Sequence, residues 1–207
     1  MLLFSYSRQR LLKARVAAAV LLVTLGARLT RADGASLLLV DVVLAGLLVI
    51  AFRIADDLID RETDRATHPD RVTVRAESID GLALFAAYLW SAAAVLATLA
   101  VGVDSLAVLL TFTLVIALWY RLRAARSAMN DRILLAKYAA FTVVLTGVGP
   151  LLTLRGALAV ATVYLAACVY EWAHDSKSPI SRRARSVEVA LLAAACAALV
   201  RTIGGVR

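Results

Sequence analysis

Cysteine is nearly absent from this 207-residue chain, which has only Cys168 and Cys196. Neither stands in a Cys-x-x-Cys or Cys/His pattern, which excludes a disulfide framework and a zinc site as organising features. Both read as small apolar packing residues. The chain also lacks low-complexity segments, linkers, a convincing internal repeat and any shift in composition, so residues 1–207 form one domain. No small-residue cleavage site follows the basic start, MLLFSYSRQRLLKAR, and the first apolar run is therefore expected to be a retained helix rather than a signal peptide. Acidic residues are in deficit, 15 against 23 Lys and Arg, for a net charge of +8. The basic residues form no continuous stripe, which argues against a nucleic-acid partner.

What the chain has in abundance is apolar sequence. It is 62% hydrophobic with a mean hydropathy of +0.82, beyond what the interior of a soluble domain can take up. Runs near the ~20 residues that cross a bilayer core lie at Val16–Leu29, Ser36–Ile54, Gly81–Val101, Leu106–Leu122, Ile133–Leu152, Ala157–Trp172 and Val187–Val200. Gly147-Val148-Gly149-Pro150 is expected to end the fifth. The fold class is thus all-α, a polytopic transmembrane bundle of about seven helices. Eighteen of the 23 basic residues flank the first span or fall in and around the second, fourth and sixth loops. The positive-inside rule then puts the N-terminus and those loops on the cytoplasmic side, most simply of a cell (inner) membrane.

Two acidic clusters face that side. The first is Asp56, Asp57, Asp60, Glu62 and Asp64, where the second span reaches the surface. Asp57, Asp60 and Asp64 are spaced i, i+3, i+7, so a continuing helix puts them on one side. Clustered carboxylates need a counter-charge: solvent, the interleaved Arg53, Arg61 and Arg65, or Mg²⁺, which favours a few carboxylates plus substrate phosphates. A solvated helix end is the plain alternative, but ionised groups directly after an apolar run are costly unless useful. The second cluster, Glu171 and Asp175 at i, i+4, ends the sixth span beside Tyr170, Trp172 and His174. Its aromatics also fit an ordinary interfacial belt.

These residues resemble the UbiA superfamily of intramembrane aromatic prenyltransferases. Asp56-Asp57-Leu58-Ile59-Asp60-Arg61-Glu62-Thr63-Asp64 is similar to the family's NDxxDxxxD motif, with Asp56 in place of Asn. Asp64-Arg65-Ala66-Thr67-His68-Pro69-Asp70-Arg71 resembles the DRxxHPxRP continuation, with Val72 for the final Pro. Glu171 through Asp175 approximates the second motif, DxxxD, while Trp119-Tyr120-Arg121 and Lys137 resemble the family's Tyr and basic positions.

The resemblance implies transfer of a prenyl group from an isoprenoid diphosphate to an acceptor, aromatic in the family's usual chemistry, with Mg²⁺ as cofactor. Asp56, Asp57, Asp60, Asp64, Glu171 and Asp175 would hold the metal, with Asp57, Asp60 and Asp175 central to catalysis. Arg71, Tyr120, Arg121 and Lys137 would contact the diphosphate. Members commonly have more helices, which implies that a second copy, a partner subunit or lipid closes the prenyl cavity. A shortened, non-catalytic relative that binds isoprenoid lipid is the main alternative. A CDP-alcohol phosphotransferase fits less well, because Asp60 is followed by Arg61-Glu62-Thr63 where that family has Gly.

Overall fold

The computed structural model describes residues 2–31, 37–122, 127–174 and 180–204 and has no strand among them. Leu and Ala, which fill the apolar runs, are strong helix formers, and a backbone in lipid must satisfy its polar groups internally. The helices are α1 (Leu2–Tyr6), α2 (Ala14–Thr30), α3 (Leu38–Ile59), α4 (Arg61–Thr67), α5 (Val72–Arg75), α6 (Asp80–Ala100), α7 (Val103–Leu122), α8 (Ala128–Thr146), α9 (Leu154–His174) and α10 (Arg182–Gly204). A π-helical turn, Ser7–Leu11, joins α1 to the approach to α2.

Each of the seven expected segments is helical over most of its described residues, and five helices, α3, α6, α7, α9 and α10, are long and apolar enough to cross a membrane. The other two differ for physical reasons. Helix α2 has 17 residues, a length of about 26 Å against a hydrocarbon core of about 30 Å. Helix α8 carries Asn130, Asp131, Arg132 and Lys137 within its 19 residues.

The break expected at Gly147–Pro150 is present. Helix α8 ends at Thr146, and Gly147 takes a φ of +76°. A Cβ there would come within 2.9 Å of Asp104 Oδ2, the oxygen that accepts the Val148 N–H at 3.0 Å. Glycine meets both the backbone sign and the lack of space.

Helix α2 packs against α3, α8 and α9, and α3 packs also against α6. Gly26 sets the α2–α9 approach, since a Cβ would stand 2.3 Å from Val163 Cγ2. The core between these helices is built on Val23, Leu44, Leu48, Phe52, Leu109 and Phe141, with Phe52 and Phe141 edge to face at 4.9 Å. Helix α10 docks on α9 and buries only Ala195 and Leu199.

An ion pair closes the end of the bundle away from the acidic motif. Asp41, 1% exposed in its side chain, accepts from Arg31 Nη1 at 2.8 and 2.9 Å, with Arg28 at 3.9 Å. Arg31 also donates to the Leu145 carbonyl, and Arg155 donates to the carbonyls of Leu29 and Arg31. Helices α2, α3, α8 and α9 are thereby tied together.

Candidate functional site

The chain does not run through the acidic motif as one straight helix. Helix α3 stops at Ile59, Asp60 takes φ −79° and ψ 1°, and α4 restarts at Arg61. The backbone stays connected, since the Asp60 N–H donates to the Asp56 carbonyl at 2.9 Å and the Asp64 N–H to the Asp60 carbonyl at 2.8 Å. The expectation that a continuing helix lines the carboxylates along one side is therefore modified. Three of them point to three separate sets of partners.

Asp56 accepts from the Tyr120 hydroxyl at 2.5 Å and from Lys137 Nζ, joining α3 to α7 and α8. Asp57 is 4% exposed. Its Oδ2 accepts from the Tyr6 hydroxyl and from Arg10 Nε, both at 2.8 Å, while its Oδ1 accepts from Arg10 Nη2. Arg53 Nη2 stands 3.6 Å away. Asp64 is also 4% exposed and pairs with Arg71, with His68 Nδ1 at 3.7 Å. Like charges in series are thus relieved by a separate cation for each, which gives charge-assisted bonds in place of mutual repulsion.

The N-terminal segment makes this possible by folding back over the end of α3. Tyr6 is fully buried against Ile54, Leu82 and Ala86. Burial, and then the nearby Asp57 charge, push its phenol well above the ordinary range, so it stays a donor. Gln9 Oε1 accepts the Val72 N–H at 2.9 Å. Burial works against the charge of Arg10, but its hydrogen bonds to Asp57 prevail and its pKa is raised. An extended break at Lys13 (φ −120°, ψ 143°) then redirects the chain into α2.

Beside these pairs lies a cavity of about 470 Å³. One part of its wall is cationic, with Arg10, Lys13, Arg15, Arg53 and Lys137. Another part is apolar, with Val16, Leu22, Val49, Leu135, Phe141 and Ala167. Tyr138, Tyr170 and Glu171 complete the polar rim, and Glu171 is the one acidic side chain among the described lining residues. Asp56 and Asp57 do not line the space themselves. They hold Lys137 and Arg10, which do.

The remaining expected residues fall as follows. Arg71 is engaged by Asp64, and Asp60 is half-buried at the α3–α4 junction. Arg121 is exposed at the end of α7 and is not among the described lining residues. His174 stacks on Tyr170 at 4.0 Å, and its Nδ1 meets the Tyr170 carbonyl at 2.9 Å. Asp175 lies outside the described residues.

Sequence reasoning named Arg53 as a counter-charge of the acidic cluster, and Arg53 stands beside Asp57; it assigned Arg10 to topology alone and missed Tyr6. A basic residue in a segment with its own apolar side, Leu2, Leu3 and Tyr6, was the available signal that this segment could dock. Glu188 was also missed. It takes Arg132 at 2.6 and 2.7 Å and Trp172 Nε1 at 3.0 Å, anchoring the start of α10.

The expected Mg²⁺ can be tested against this geometry. Among the described residues no three acidic, histidine or cysteine side chains come together closely enough to hold a metal ion. Both Asp57 oxygens already accept from Arg10, and those of Asp56 accept from Tyr120 and Lys137. As arranged, the motif's carboxylates do not fit a common metal cage. Comparisons of the chain with protein-family models, curated proteins and solved structures find no match.

Proposed function

We propose that the chain transfers a prenyl group from an isoprenoid diphosphate to an aromatic or lipid acceptor within the membrane. The observation that carries this reading is the cavity, which joins a cationic wall to an apolar one in a single space. A prenyl diphosphate has the same division, a highly charged head on an apolar chain. As the C–O bond breaks, negative charge grows on the departing diphosphate, and fixed cations lower the energy of that change. The allylic cation left behind survives only where water is excluded, and the apolar helical wall supplies that. Mg²⁺ belongs to the proposal as the diphosphate's counter-ion, arriving with the substrate.

In this reading all seven long helices span the membrane, and Lys and Arg at the ends of α2 and α8 reach the interface to offset their short apolar lengths. The acidic end faces the cytoplasm of a cell membrane, and lipid or a second copy covers the exposed outer helices. A second reading, a non-catalytic isoprenoid-lipid carrier, draws support from the engagement of Asp56 and Asp57 by cations.

The test is diphosphate release by the purified chain in lipid from a panel of isoprenoid diphosphates and aromatic acceptors, with and without Mg²⁺. Acceptor-dependent release that Lys137→Gln and Asp60→Ala each reduce supports transfer. Tight binding of prenyl diphosphate without release for any acceptor favours the carrier.

A further inference from the structure

The disagreement between the acidic motif and a metal cage has a constructive side. Arg10 meets Asp57 through Nε and Nη2, an edge-on arrangement that leaves the Nη1 amine out of the contact. Lys137 meets Asp56 through one ammonium that carries three donors. Both cations line the cavity. Each can therefore donate to an anion there without leaving its carboxylate. A flexible cation fixed in this way loses less freedom on binding, and Arg presents its fork in a defined orientation.

We propose that Asp56 and Asp57 are positioning residues that orient Lys137 and Arg10, and that these two, with Arg53, form a metal-independent seat for a diphosphate head. The proposal rests on the reading of the cavity as the diphosphate site and assigns the binding atoms within it. Arg53 fits the same role because it stands 3.6 Å from Asp57, lines the cavity and keeps a third of its side chain exposed. Glu171, across the rim, sets a limit on the site. With Asp56 and Asp57 counted behind Lys137 and Arg10, five cations face three carboxylates, and the remaining positive excess matches an anion better than a zwitterionic lipid head.

The experiment measures binding of inorganic diphosphate and of farnesyl diphosphate to the full chain in lipid nanodiscs, in EDTA and in Mg²⁺. Wild type should bind both probes in EDTA, with farnesyl diphosphate the tighter because its chain meets the apolar wall. Arg10→Gln and Lys137→Gln should each weaken binding about tenfold or more, as expected for loss of a charged hydrogen-bond donor. Asp57→Asn should weaken binding in the wild-type background and add clearly less in the Arg10→Gln background, where only Arg53 is left beside it, a non-additivity that a general loss of stability does not produce. Should Arg10→Gln fail to fold, Arg53→Gln carries the test with the same expected loss.

Binding that needs Mg²⁺, vanishes in Asp57→Asn and survives in Arg10→Gln would overturn the proposal. So would wild-type affinity in a folded Arg53→Gln. If farnesyl diphosphate binds in EDTA but no acceptor is prenylated, the seat stands and the transfer reading fails. Turnover that requires metal even for binding has the opposite meaning.

Discussion

Replacing Asp41 by Ala removes the carboxylate that pairs with Arg31, and stands within reach of Arg28, at the end of the bundle opposite the acidic motif. The side chain is 1% exposed, and Arg31 is 11% exposed. Breaking a buried pair on one side costs about 3–5 kcal/mol, because the remaining charge is left without compensation. Arg28, at 21% exposure, can still reach solvent, so the lower part of that range applies. For a chain of this size each kcal/mol shifts the melting midpoint by about 2–4 °C; 3 kcal/mol thus corresponds to roughly 6–12 °C. The assay is thermal unfolding of the purified protein in a fixed detergent, with the double replacement Asp41→Leu with Arg31→Met alongside. The double variant should recover a good part of the loss, although Leu145 then lacks the guanidinium that its carbonyl accepts from. A shift of under about 2 °C for Asp41→Ala would refute the reasoning, since it would mean that the pair is not desolvated.

Three further outcomes follow from the packing. Gly26→Ala forces a methyl to 2.3 Å from Val163 and should cost about 1–3 kcal/mol, most of it restored by adding Val163→Ala; no recovery in the double variant would place the strain elsewhere. Gly147→Ala should lower stability by about 1 kcal/mol or more, from the positive φ and the contact with Asp104. Tyr6 has a phenol pKa raised by burial and by Asp57. Its contribution is therefore present below the ordinary value of 10.0 and declines as pH rises past it, because the unfolded chain loses the proton first. In Tyr6→Phe that extra alkaline decline should disappear, read as the difference between the two unfolding profiles from pH 9 to 11.

The apolar runs made the seven long helices legible, because a run of Leu, Ala and Val with a Gly-Pro stop has few other solutions. They did not separate helices that merely pack from those long and apolar enough to cross, as α2 and α8 illustrate. The acidic motif was legible as a place where charge meets apolar sequence. Its wiring was not, since Lys137 and Arg10, which bond Asp56 and Asp57, stand 81 and 47 positions away, and Arg10 arrives only because the N-terminal segment folds back. Asp41 could have been found. A lone acid near the start of an apolar run, with Arg28 and Arg31 just before it in the chain, is the pattern of an intramembrane ion pair.

Helix α10 meets the rest of the bundle through α9 and through Glu188 near its start. During synthesis the helices before it emerge first, and they can complete the cavity and both ion-paired ends without it. Docking of α10 then becomes a closing step, nucleated where Glu188 finds Arg132 and propagated toward Leu199. In hydrogen exchange such a helix opens as a unit of its own, below the free energy at which the bundle unfolds.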